Sequence, residues 1–157
     1  MPLFLGRFMP VGDSDNWMAC ADRLRLRLLR ADDVVPLRSV MEPGLVKAVV
    51  AQTGNRALTP WAVVLRDGGD VAGFCGFFVR PVKGTTMGYG IAPEYRGHGL
   101  ATEAAAAVLD WAERNGVDFY ASVRPPNPAS VRVLEKVGMR LVDSYLDEDG
   151  QRDIYRR

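Results

Sequence analysis

With 157 residues and a net charge of +1, the chain is long enough for one domain with one substantial core, and its small charge excess argues against a broad electrostatic grip on nucleic acid. Charged residues make up 25% and apolar ones 48%, an ordinary balance for a soluble globular protein, and no apolar stretch approaches the length that spans a bilayer. Two cysteines (Cys20 and Cys75) and one histidine (His98) fall in no metal-ligand spacing, so no metal is expected, and Cys75, inside an apolar run, reads as a small core residue.

Residues 1–22 read as an N-terminal tail, with Phe4, Phe8 and Trp17 as candidates for packing on the domain or across a dimer. Gly6, Arg7, Pro10 and Gly12 interrupt any signal-like apolar core there, which gives the expectation of a cytoplasmic address. Residues 23–157 form the predicted domain. Arg23 to Arg30 alternates arginine with leucine, the period of a half-buried strand whose Arg23, Arg25 and Arg27 face solvent. Asp32 and Asp33 open a helix to about Glu42, Pro43-Gly44 breaks it, and Leu45 to Gln52 is helical again. Trp61–Arg66 and Val71–Arg80 pair as an antiparallel hairpin around Asp67-Gly68-Gly69-Asp70.

Thr85 to Ala92 is the next strand, broken by Pro93 and Glu94. A helix then runs from Leu100 to Asn115, with Gly116 at the place of a C-cap glycine. Val117–Val123 is a strand, Ala129–Val137 a short helix, and Met139–Leu146 and Gln151–Tyr155 a closing hairpin. This order predicts an α+β fold with a mixed sheet and helices on both faces.

Two stretches carry chemistry. In the first, Arg96-Gly97-His98-Gly99-Leu100-Ala101-Thr102 joins a strand to a helix, so backbone N–H groups and the positive end of the helix dipole converge on one spot suited to a phosphate. A tight turn alone accounts for the glycines equally well. Thr102 rules out a dinucleotide fingerprint, and the loop has no Walker Gly-Lys-Ser/Thr. In the second, Asn127 stands as a helix N-cap with Ser130 in the first turn, a pattern that capping alone also explains.

The first stretch resembles motif A of the GNAT superfamily of acyl-CoA-dependent N-acyltransferases, Arg/Gln-x-x-Gly-x-Gly/Ala, here Arg96, Gly99 and Ala101, preceded by a family-like Gly88-Tyr89-Gly90-Ile91-Ala92-Pro93. Asn127-Pro128-Ala129-Ser130 followed by Glu135-Lys136-Val137-Gly138-Met139 resembles the subgroup that acetylates ribosomal-protein N-termini. The resemblance implies a mostly antiparallel central sheet of about seven strands and acetyl-CoA as cosubstrate. It implies coenzyme contacts at Ile91, Arg96, Gly97, His98, Gly99, Leu100, Ala101, Thr102 and Asn127, with Ser130 as the catalytic donor to the departing thiolate. The partner implied is an amine acceptor, a protein N-terminus or a small molecule, taken by a monomer or homodimer with no nucleic acid and no membrane.

Two departures stand out. Thr86 occupies the place of a base-supplying Glu, and Leu134 that of a Tyr acid. Glu103 reads as a solvated first-turn residue, and Gly88 and Gly90 within a strand suggest a bulge or a close backbone approach. The alternative to an enzyme is a GNAT-fold module that binds acyl-CoA without turnover.

Overall fold

Strands that are apolar on both faces at the centre build one sheet, and the two faces of that sheet take different helices. The computed structural model describes residues 17–125 and 127–157. Its strands are β1 (Trp17–Cys20), β2 (Leu24–Leu28), β3 (Pro60–Leu65), β4 (Val71–Arg80), β5 (Gly84–Ile91), β6 (Tyr120–Val123), β7 (Arg140–Asp147) and β8 (Gly150–Arg156). They lie in the order β1-β2-β3-β4-β5-β6-β8-β7, antiparallel throughout except for β5 beside β6. The sheet thus has eight strands where about seven were expected. The additional one, β1, falls in the segment assigned to the tail; residues 1–16 of that segment lie outside the described residues.

On one face α3 (Leu100–Arg114) and α4 (Pro128–Lys136) cover a core of Leu24, Leu26, Trp61, Phe77, Met87, Val108 and Leu134. Buried Ala104, Ala105 and Ala112 keep α3 narrow on its inner side, while Trp61, Phe77, Trp111 and Phe119 meet ring to ring at 5.0–5.8 Å between centroids. Gly116, at φ 64°, ends α3 as its sequence position suggested: Val117 N–H donates to Ala112 and Gly116 N–H to Glu113. On the other face α1 (Val34–Leu37) and α2 (Pro43–Ala51) cover Leu29, Ala62, Val64 and Phe74. The predicted helix to Glu42 is therefore one turn with a 3-10 entry at Ala31–Asp33. Pro43 begins the next helix rather than breaking one, since its missing N–H is an orphan in the first turn anyway.

The solvated arginine face is corrected at Arg27. Its side chain is buried and its guanidinium donates to both carboxylate oxygens of Asp33 at 2.8 and 3.0 Å. Asp33 also accepts from the backbone N–H of Arg30 at 2.7 Å, so one buried carboxylate fixes the β2–α1 corner. Removing one partner of such a pair leaves a buried charge uncompensated. Asp33→Ala is expected to cost about 3–5 kcal/mol in denaturant unfolding, whereas Asp110→Ala, on the exposed pair with Arg114, should cost about 0.5 kcal/mol or less. Equal midpoints for the two variants would contradict the assignment.

Candidate active site

The sheet opens between β5 and β6. These parallel strands pair only at Thr86↔Tyr120 and Met87↔Ala121 and then part, so Gly88 to Ile91 has no neighbour on that side. On its other edge β5 pairs with β4 continuously from Gly84 to Ile91, and Ala92 N–H donates to Ala72 C=O. By the alternation of an antiparallel ladder, the N–H groups of Tyr89 and Ile91 face the opening. No bulge produces this. Gly88 and Gly90 are needed because a Cβ there would sit 2.8 Å from the ring of Phe78 and 2.7 Å from that of Phe74. The close approach is by side chains of the neighbouring strand.

The strand runs directly into the glycine loop. Pro93–Tyr95 makes a 3-10 turn, and Arg96 Nε donates to Ile91 C=O at 2.8 Å, folding the loop back on the strand end. Gly97 and Gly99 both have positive φ, 83° and 76°, with no backbone or core atom crowding either position. Their conformation is the reason for glycine here. Among the described residues, nothing accepts from the amides of Gly97, His98, Gly99, Leu100, Ala101 and Thr102. Gly97, His98 and Gly99 are exposed, so a row of free donors opens to solvent at the positive end of α3.

Asn127 and Ser130 stand on the far side of the opening, at the start of α4. Asn127 Oδ1 accepts from Ser130 N–H at 3.2 Å, a regular N-cap. Sequence reasoning singled out neither Tyr89 nor its link to this turn. The Tyr89 hydroxyl donates to Ser130 C=O at 3.0 Å, spanning from the free edge of β5 to α4. Burial pushes its phenol up to about 12, only partly opposed by the Ser130 side chain, so it stays a neutral donor. The signal was present as a tyrosine between two strand glycines.

One charged residue is also placed differently from expectation. Glu103 is not solvated: it accepts from Arg23 N–H at 2.6 Å and Arg23 Nε at 2.8 Å, which sets the Arg23 guanidinium beside the loop, 3.7 Å from where a Cβ on Gly99 would lie. Arg124, at the end of β6, pairs with Asp147 and Asp149 on the closing hairpin, and Arg152 holds Asp147 from within it. That contact with Arg152, helped by Arg124, lowers the Asp147 carboxyl to about 2. Cys75 is fully buried and its thiol is pushed up by desolvation, which leaves it a core residue. Among the described residues no group of His, Cys, Asp and Glu could hold a metal ion, and no helix is long and apolar enough to cross a membrane.

A strand that parts from its neighbour and feeds a loop of free amides is matched at the level of sequence: residues 23–140 fit the model of the acetyltransferase (GNAT) domain. The chain belongs to the GNAT acetyltransferase family. Among curated proteins it is similar to the uncharacterized N-acetyltransferase YnaD of Bacillus subtilis, 33% identical over 97 residues, 60% of this chain and 57% of that one. The chain spans about half the length of the curated relatives it matches. The solved structure of RimL, a ribosomal L7/L12 alpha-N-protein acetyltransferase, superposes with a TM-score of 0.70 at 18% identity, covering 96% of this chain and 99% of that one. MccE, a microcin C7 self-immunity acetyltransferase solved with acetyl-CoA and AMP, gives 0.69 at 15% identity, covering 94% and 96%. At these identities the likeness is one of fold.

Tyr89 offers a test of how the two walls of the GNAT opening are held. Tyr89→Phe keeps the ring and removes the strut to α4, at a cost of about 1 kcal/mol in global stability. Hydrogen exchange should rise in residues 127–133 while β4 and α3 stay protected. Unchanged exchange in that segment would deny the strut its role.

Proposed function

We propose that this protein is an N-acetyltransferase that moves an acetyl group from acetyl-CoA to a primary amine by direct attack, with an α-amine as the preferred acceptor. One observation carries the reading: the unpaired edge of β5 leads, through the single turn at Pro93–Tyr95, into the unbonded amides of Gly97 to Thr102. An amide-bearing arm can extend the sheet along that edge, while a pyrophosphate suits the loop, where donors, helix dipole and the Arg96 charge coincide. RimL and MccE, of the same fold, are named as acetyltransferases, and MccE was solved with acetyl-CoA.

When bound, acetyl-CoA supplies an activated acyl group and a good leaving group. The chain's own residues do the rest. The N–H near Ile91, aimed into the opening, stabilises the charge that grows on the thioester oxygen as the amine nitrogen bonds to the carbonyl carbon. As the C–S bond breaks, the Ser130 hydroxyl donates to the sulfur, and Asn127 keeps the first turn of α4 in place. The amine proton leaves to solvent or to a base. Arg96, Gly97, His98, Gly99, Leu100, Ala101 and Thr102 hold the phosphates.

The preference for an α-amine follows from Thr86. It is buried on β5 and supplies no carboxylate. An α-amine with a pKa of about 7.7–8.0 is about 10–20% neutral at pH 7, whereas a lysine at about 10.4 is neutral in fewer than about one molecule in a thousand. Without a base on this strand the α-amine is the easier nucleophile. The test uses acetyl-CoA and peptides with free or blocked N-termini, each carrying an internal lysine, with free thiol measured and the acetyl group located by mass spectrometry. The expected product is N-terminal, and Ser130→Ala should lower kcat about 10–100-fold with little change in the KM for acetyl-CoA. Acetyl-lysine on blocked peptides would overturn the acceptor assignment. Tight acetyl-CoA binding without thiol release from any amine would favour the binding module.

A further inference from the structure

The opening between β5 and β6 has a second side. Ala121, Val123 and Tyr155 point into the α3/α4 core, so Tyr120 on β6 and Ile154 and Arg156 on β8 point to the opposite face. There they line, with Lys83 and Tyr145, a cavity of about 310 Å³. The helices α1 and α2 cover this face only further along, over Ala62, Val64 and Phe74. Tyr120 is paired with Thr86, one rung before Met87↔Ala121, after which the strands part. The cavity therefore lies beside the paired, closed end of the opening, on the face away from the α3 loop.

Its charges have one sign. Lys83 Nζ lies 5.6 Å from the ring centroid of Tyr145, and the Arg156 guanidinium 5.7 Å from that of Tyr120. Arg156 has Asp118 as its carboxylate partner, but that side chain is 92% exposed, and solvent screens such a pair. Lys83 has no carboxylate partner among the described residues, and no acidic side chain lines the cavity. The backbone aims Lys83 at some cost. Lys83 N–H donates to Pro81 C=O at 2.8 Å, making Val82 the centre of a γ-turn at φ 70°, a strained form that a β-branched residue rarely adopts. Val82 itself is fully exposed and gains nothing from packing. The strained turn places the Lys83 cation over the Tyr145 ring, in the cavity that Tyr120 also lines.

We infer that this cavity anchors the acceptor and takes a carboxylate that the amine substrate carries within its first few residues. The inference rests on the acetyltransferase reading, and it names the substrate class as N-termini with an early acidic residue. Lys83 and Arg156 pair with the carboxylate, Tyr120 and Tyr145 flank its stem, and the α-amine projects between β5 and β6 toward the thioester. A cavity of this size is at the lower end for a ligand site and suits one side chain with its adjoining backbone.

Two C-terminally amidated peptides, Ala-Glu-Ala and Ala-Gln-Ala, differ in that one carboxylate. Their binding to the protein saturated with coenzyme A, followed by calorimetry, should favour the Glu peptide by tenfold or more. Lys83→Gln, at an exposed turn, should abolish that preference and leave acetyl-CoA affinity unchanged. With acetyl-CoA the same preference should appear in the peptide KM, with kcat little altered. Equal binding of the two peptides, or a preference that survives Lys83→Gln, overturns the inference. A Lys83-dependent preference without thiol release would leave the anchor standing and reject the acetyltransferase reading instead.

Discussion

The early end of the pairing between β5 and β6 is the constraint on which everything else depends. β5 is held along its other edge by β4 over its whole length, and β6 is held by β8, so each strand belongs to a firm half-sheet. Between the halves there are two paired positions and then an open edge. Unpaired strand edges expose donors and acceptors that must find partners in water, in a ligand or in another chain. Here the edge is short, sits mid-sheet rather than at the rim, and ends in a loop whose own amides are free. The Tyr89 strut and the Arg96 bond to Ile91 hold the two lips of the opening, so its shape is set before any ligand arrives.

In the proposed reading, the two faces of the sheet divide the work at that opening. On the α3/α4 face, glycines with positive φ and a helix dipole suit an anionic coenzyme. On the other face, α1 and α2 stop short, and Tyr120, Ile154 and Arg156 line a cavity with Lys83 and Tyr145. A reaction that joins two substrates gains from having them enter from opposite sides, since neither must leave for the other to bind and both are fixed at the point where they meet. Thr86, on the paired rungs just before the opening, is buried and uncharged.

The local signals in the sequence carried most of the fold. Period-2 leucines marked β2, the Asp67–Asp70 turn marked the β3–β4 hairpin, and Gly116 marked the end of α3, because each depends on neighbours within a few residues. The strand–loop–helix at 84–114 was equally legible, and motif resemblance placed it in its family. What was not legible depends on distant partners. Arg27 has the same spacing as Arg25, yet only Arg27 finds Asp33, after the chain turns a corner. Glu103 looks like any first-turn acid until Arg23, 80 residues earlier, is brought beside it. β1 is four residues long with no alternation to reveal it, and it exists by pairing with β2. The aim of Lys83 rests on a γ-turn that valine's own preferences argue against.

We propose the open edge of β5 and the loop after it as one binding surface for acetyl-CoA. Titration of the isotopically labelled protein with acetyl-CoA, followed amide by amide by NMR, tests it most directly. Saturable shifts are expected at Tyr89, Ile91 and residues 97–102, with slowed exchange at the Ile91 amide that faces the opening. Saturable shifts confined to other parts of the sheet, with these amides unmoved and still exchanging freely, would contradict it.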